Sequence, residues 1–208
     1  MDKKAHWESI YRNTEAGQAS WYQVEPEPSL QLIRQAVPET AAIIDVGGGT
    51  STLVDSLVAA GYQRVTVLDL SGAALAAAQS RLGEAAGAIT WIEGDLLNVS
   101  LPAAGFDLWH DRAVFHFLTD APDRQDYVRQ IRCALSPDGY VLIATFAPDG
   151  PERCSGLEVV RYSAEALGHE LGAGFTLVTS VRGEHRTPAG LIQPFIYCLF
   201  HRDAAVGH

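Results

Sequence analysis

The chain is short of what several large classes of protein require. Only three cysteines, Cys133, Cys154 and Cys198, occur among its 208 residues, and none is spaced as C-x-x-C. An odd, scattered set does not make a disulfide framework, so the thiols are expected to be reduced and the chain cytoplasmic. No run of about 18 apolar residues is present, which argues against a membrane span. The first residues, Met1 to Glu8, lack the apolar core of a signal peptide. Basic residues are scarce as well: 15 Lys and Arg stand against 25 acids, for a net charge of -10. That balance excludes a broad basic face for nucleic acid or an anionic membrane. Small molecules, cationic ligands and proteins remain as partners, and nothing in the composition addresses oligomeric state.

What the chain does have is apolar content: 47% of it is hydrophobic, enough at this length for one sizeable core. Residues 1–40 differ from the rest. They hold Trp7, Tyr11, Trp21 and Tyr22 and the proline-punctuated stretch Glu25-Pro26-Glu27-Pro28. A helix is predicted over residues 4–12 and another from Leu30 to Ala36, with Ser29 as its N-cap. Too short to fold alone, this segment is expected to lie across a main domain of residues 41–202, with 203–208 as a tail.

From residue 41 strands and helices alternate. Strands are predicted at 41–46, 64–69, 88–93, 106–110 and 140–146, and helices at 50–60, 73–82, 122–135 and 163–171. Two β-rich runs, Phe175 to Val181 and Ile192 to Phe200, close the chain with no helix between them, so they must pair antiparallel. The expected fold is α/β: a doubly wound, mainly parallel seven-stranded sheet closed by a C-terminal antiparallel hairpin.

The strongest chemical signal is Ile43-Ile44-Asp45-Val46-Gly47-Gly48-Gly49-Thr50-Ser51. Glycines at the carboxyl end of a strand let backbone approach a ligand, and the next helix offers free N–H groups. A tight turn alone is the alternative. Counting from Gly47 and Gly49 puts Thr52 at the third position of a dinucleotide fingerprint, and the G-K-[ST] of a P-loop is absent. Asp45 beside the turn would repel a pyrophosphate. It suits a ligand with an ammonium group and a positive centre, as S-adenosylmethionine has. Asp69 ends the second strand, where a carboxylate accepts from ribose hydroxyls or caps the next helix, although Ser71 is available as that cap. Asp95 ends the third strand, either as an acceptor for an adenine amino group between Leu70 and Leu96 or as a surface turn.

D-x-G-x-G-[TS], an acid ending strand two and G-D-[LI] after strand three resemble the class I S-adenosylmethionine-dependent methyltransferases over residues 40–202. Where many members carry a third glycine this chain has Ser51. The resemblance implies that Asp45, Gly47, Gly49 and Thr50 hold the methionine end of the cofactor, Asp69 the ribose, and Asp95 the adenine, with S-adenosylhomocysteine as product. It places Trp109-His110-Asp111-Arg112 beside the sulfonium. The stretch His110 to Leu118 and the run Phe146 to Leu157 look like a bacterial subgroup of unassigned substrate. Related enzymes with a His-Trp-x-x-x-Tyr start, here His6, Trp7 and Tyr11, include protein-lysine and small-molecule methyltransferases.

Candidate catalytic residues are therefore His110 and Asp111. Acceptor contacts are expected from Tyr11, Tyr22, Arg112, His116, Cys154 and His185, the last in the hairpin loop. For His116 a structural role, and for Cys154 simple packing, are the competing readings. His110, Asp111 and His116 match no zinc spacing, so no metal is expected. Trp21 and the rest of residues 1–28 are expected to close over the cofactor, since aromatic rings suit a sulfonium. A small-molecule acceptor is favoured, with lysine N-methylation or a non-catalytic S-adenosylmethionine-binding protein as alternatives.

Overall fold

The computed structural model describes residues 2–14 and 16–204; residues 205–208 of the expected tail lie outside the described residues. Two helices come first, α1 (Lys3–Asn13) and α2 (Ser29–Ala36). The alternating part follows: β1 (Ala42–Val46), α3 (Leu53–Ala59), β2 (Arg64–Asp69), α4 (Gly72–Leu82), β3 (Thr90–Glu93) and β4 (Phe106–Arg112). Next come α5 (Ala121–Ala134), β5 (Leu135–Phe146) and two short strands, β6 (Arg153–Cys154) and β7 (Leu157–Glu158). The chain closes with α6 (Ala164–Leu171), β8 (Phe175–Arg186) and β9 (Ile192–Arg202).

Seven strands form one sheet in the order β3-β2-β1-β4-β5-β9-β8. Neighbours from β3 to β5 run parallel, while β9 is antiparallel to both β5 and β8. This is the expected Rossmann-like α/β sheet with its closing hairpin. Strand order reverses between β1 and β4, which opens a crevice at their carboxyl ends. Side-chain alternation along β1 splits the core: Ile43 packs with Leu57 and Ile33 on one face, Ile44 with Trp109 and Tyr127 on the other. Both isoleucines are fully buried. Removing each from water contributes roughly 1.5–3 kcal/mol.

Several boundaries differ from the sequence pattern, and the differences move candidate residues. Strand β3 starts only at Thr90, because the Ala- and Gly-rich residues 83–88 continue α4 as a 3-10 turn. Strand β4 runs two residues past His110, since pairing continues through Asp111 with Val46 and Ile143 and through Arg112 with Ala144. Asp111 and Arg112 are thus within the sheet rather than in the loop after it. The 136–139 stretch does not separate α5 from its strand: β5 begins at Leu135 and absorbs the irregularity as a register shift, with Asp138 at φ 60. Strand β8 extends to Arg186, so His185 sits on a strand and not in the hairpin loop.

Ser29 does not cap α2. The helix begins at Ser29 after Pro28, with no side-chain cap bond, and the Ser29 hydroxyl is taken up by His110 instead. Ser71 and Ser163 do cap their helices, accepting from Ala74 N and Ala166 N. Among the described residues no helix is long and apolar enough to cross a membrane.

Candidate active site

The strand-order reversal is occupied by a cavity of about 580 Å³. Its floor is the turn after β1. Gly47 and Gly49 have φ values of 65 and 46, in the left-handed region that favours glycine. Space demands glycine as well: a Cβ at Gly47 would run into Val114 Cγ2, and one at Gly49 into the Tyr11 hydroxyl. At Gly48, the second variable position of D-x-G-x-G, a Cβ would stand 2.6 Å from Val67 Cγ1. The Gly47 N–H donates to the Leu68 carbonyl at 2.7 Å, which ties the turn to β2. Gly47 and Gly48 face the cavity, while Gly49 and Thr50 are buried outside its wall, and Thr50 offers its carbonyl to Arg81 at 3.0 Å. Helix α3 begins only at Leu53, and the turn carries Ser51 to the wall.

Asp45 is 2% exposed. One oxygen, Oδ1, lies 2.6 Å from Nδ1 of His110, and Nε2 of that ring lies 2.9 Å from the Ser29 hydroxyl. A carboxylate accepts, so Nδ1 carries a proton, and Nε2 shares a hydrogen bond with the Ser29 hydroxyl. The second Asp45 oxygen, Oδ2, is buried with no hydrogen-bond partner, and Asp45 lines the cavity.

Asp69, at the end of β2, lines the same cavity and is buried. Its Oδ1 accepts from Ser71 N at 2.8 Å, and Gly49 N–H donates to its carboxyl group. Burial, with the Asp45 and Glu8 charges adding to it, pushes the Asp69 pKa up to about 7 against those two bonds. Asp95 is exposed at the cavity rim and organises its own turn, accepting from Leu97 N at 3.0 Å and from Asn98 Nδ2 at 2.9 Å. Leu70 and Leu96 line the wall beside it.

Four aromatic residues cover this crevice. Trp7 contacts Trp21 at 5.9 Å and Phe117 at 5.2 Å between ring centres, and Tyr11 contacts Trp21 at 5.5 Å. Helix α1 is held down by Lys3 to Asp123 at 3.0 Å and by Ala73 N to Glu8 Oε1 at 3.3 Å. Arg112 and Cys154 line the cavity on the β4 side, and burial pushes the Cys154 thiol up.

Four further expectations are corrected. Asp111 is fully buried and absent from the cavity wall; it accepts from Val114 N, Phe115 N and, at 2.6 Å, the Tyr127 hydroxyl. Its carboxyl group is saturated by the turn it builds and does not face the cavity. His116 is fully buried between Phe117 and Phe146, and burial together with Arg112 pushes it down to about 3. His185 donates to the Ser20 carbonyl at 2.7 Å, pinning the N-terminal segment. Tyr22 turns back, its N–H on the Ala19 carbonyl at 2.9 Å, and does not reach the wall. None of these last three lines the cavity. Conversely Ser29 was missed as a partner of His110, because 81 residues separate the two and no local pattern links them.

Residues 43–139 match the family described as a methyltransferase domain. With the sheet order and the glycine turn, this match supports a class I S-adenosylmethionine-dependent methyltransferase. It is similar to EEF1A lysine methyltransferase 2 of Homo sapiens, 25% identical over 193 residues that cover 86% of this chain and 76% of that protein. In fold it resembles a structure described as the conversion of a disulfide bond into a thioacetal group during echinomycin biosynthesis, with a TM-score of 0.77, 20% identity, and 96% and 92% of the two chains covered. It also resembles Burkholderia thailandensis 1,6-didemethyltoxoflavin-N1-methyltransferase, bound to that compound and S-adenosylhomocysteine, with a TM-score of 0.72 and 22% identity over 96% of this chain and 87% of that one.

Proposed function

We propose that the cavity binds S-adenosylmethionine and directs its methyl group to a nitrogen, oxygen or sulfur atom of a small molecule. The observation that carries the cofactor reading is the unpartnered, buried Oδ2 of Asp45 above a turn with no room for side chains. A buried carboxylate oxygen without a donor is costly, and an ammonium group supplies one. Asp69 accepts from the ribose hydroxyls and Asp95 from the adenine amino group, with Leu70 and Leu96 against the ring; the order of their strands supports this sequence along the crevice. When bound, S-adenosylmethionine supplies a methyl group on a positively charged sulfur, a good leaving group.

The chain's own contribution is alignment and exclusion of water. Trp7, Tyr11 and Trp21 form a lid from residues 1–28, and their rings attract a cation beneath them. His110 acts by holding Asp45, since both of its ring nitrogens already have partners. Arg112 and Cys154 border the acceptor. This aromatic roof over the crevice supports a small acceptor. A lysine side chain is the second reading, supported by the name of the human relative.

A methyl-release screen tests both. S-adenosylhomocysteine formation is measured across thiols, amines, phenols and lysine peptides. Turnover on a small acceptor is expected; turnover on peptides alone would overturn the small-molecule reading.

A further inference from the structure

Two strands away from Asp69, at the end of β4, the cavity wall holds a cation without a counter-ion. Arg112 is partly buried. Its Nη1 donates to the Trp21 carbonyl at 3.1 Å, its Nε to the Tyr197 hydroxyl at 3.4 Å, and its Cζ stands 4.8 Å from the Phe195 ring centre. Nη2 is buried and has no hydrogen-bond partner. Among the described residues no carboxylate pairs with this guanidinium, although acids outnumber bases 25 to 15 in the chain. After burial itself, Arg112 is the next cause that pushes His116 and His185 down. Arg153, also on the wall, gives its Nη2 to the Gly156 carbonyl at 2.7 Å and has no acid partner either.

A buried guanidinium N–H left unbonded costs free energy that a ligand oxygen would recover, and the planar fork suits carboxylate and phosphate geometry. Resting on the cofactor reading above, we propose that Arg112 is the counter-ion for an anionic oxygen group, a carboxylate or phosphate, carried by the methyl acceptor. The cofactor's own methionine carboxylate has the same chemistry. The placement favours the acceptor. Asp45 and the glycine turn, which suit the amino acid end of the cofactor, belong to β1, whereas Arg112 stands on β4 beside Cys154 and the β6–β7 hairpin. Such a site selects against lysine, whose ammonium group would meet a like charge.

The test titrates the full chain, saturated with S-adenosylhomocysteine, with benzoate, phenyl phosphate and the neutral benzamide, followed by calorimetry. At least one anionic probe is expected to bind about tenfold or more tightly than benzamide. Arg112→Gln should abolish that preference, Arg112→Lys should keep part of it, and Arg153→Gln should retain it. Circular dichroism checks that each variant folds, and the wild-type comparison stands without them. Failure of both anions to outbind benzamide overturns the proposal, as does loss of the preference in Arg153→Gln alone. A second arm compares S-adenosylhomocysteine with 5′-methylthioadenosine, which lacks the amino acid moiety. Weakening by Arg112→Gln of the first alone would assign Arg112 to the cofactor carboxylate and overturn the acceptor role. Failure of wild type to bind S-adenosylhomocysteine is a separate result, and would overturn the cofactor reading beneath the proposal.

Discussion

Nδ1 of His110 stands 2.6 Å from Oδ1 of Asp45, with Ser29 closing the other side of the ring at 2.9 Å. The order Ser–His–Asp is that of a hydrolytic triad, but Ser29 is 1% exposed and outside the cavity wall, so no substrate reaches its hydroxyl. The relay works in the other direction. It fixes the rotation of the Asp45 carboxylate and leaves Oδ2 toward the site, which makes His110 a positioning residue.

His110→Gln should therefore weaken S-adenosylhomocysteine binding by about 1.5–3 kcal/mol, the worth of a hydrogen bond to a charged group. Calorimetry measures this. The pH profile of the remaining turnover should keep its shape, whereas loss of a limb attributable to a base would assign His110 to proton transfer.

Ser29→Ala removes one hydrogen-bond partner of the ring and leaves His110 in place. The expected cost is about 1 kcal/mol of stability, read from urea melts, with a smaller loss of cofactor affinity than for His110→Gln. An effect as large as that of His110→Gln would mean that Ser29 does more than steady the ring.

Gly49→Ala should abolish cofactor binding and also disturb the lid, because the new methyl group would displace the Tyr11 hydroxyl and strain a φ of 46. Tryptophan fluorescence should change in the unliganded variant, since Tyr11 packs on Trp21 at 5.5 Å. Gly83→Ala is a control: its φ of 58 is also strained, but nothing lies near its Cβ, so only stability should fall.

Asp69, raised from 3.8 to about 7, and Asp111, raised to about 6, hold their protons more tightly folded than unfolded. Their contribution to stability is present below the ordinary carboxylate range and is lost as pH rises through the folded values, between about 4 and 7. The unliganded chain should therefore lose stability over that window. Cofactor binding has the opposite sign: ribose hydroxyls donate to the ionised Asp69, so affinity falls as pH drops below about 7. Glu8, Asp45 and the Tyr11 phenol are the titratable groups that surround Asp69, and both acids favour its protonation. Thermal shifts by S-adenosylhomocysteine should be larger at pH 8 than at pH 5.5; equal shifts would remove Asp69 from the ribose contact.

Asp111→Ala should cost several kcal/mol, since Val114 N, Phe115 N and the buried Tyr127 hydroxyl lose their acceptor together. Whatever fraction folds should bind cofactor normally. Urea melts paired with calorimetry separate the two effects.

The local pattern was enough for the alternating strands, the glycine turn after β1, the acid ending β2 and the one in the turn after β3, and the closing hairpin. Each rests on short-range rules: period-two burial, glycine at positive φ, and the absence of a helix between two β-rich runs. The scarcity of basic residues narrowed the expected partners in the same way, through composition. What the sequence could not decide is which of its polar residues face the cavity. His110, Asp111 and His116 lie within seven positions, yet one holds Asp45, one builds a turn and one is buried among aromatic rings. Their fates depend on how far β4 continues in the sheet and on partners as distant as Ser29, Tyr127 and Phe146. Those are contacts between elements, set by register and packing, and only the tertiary structure brings them together.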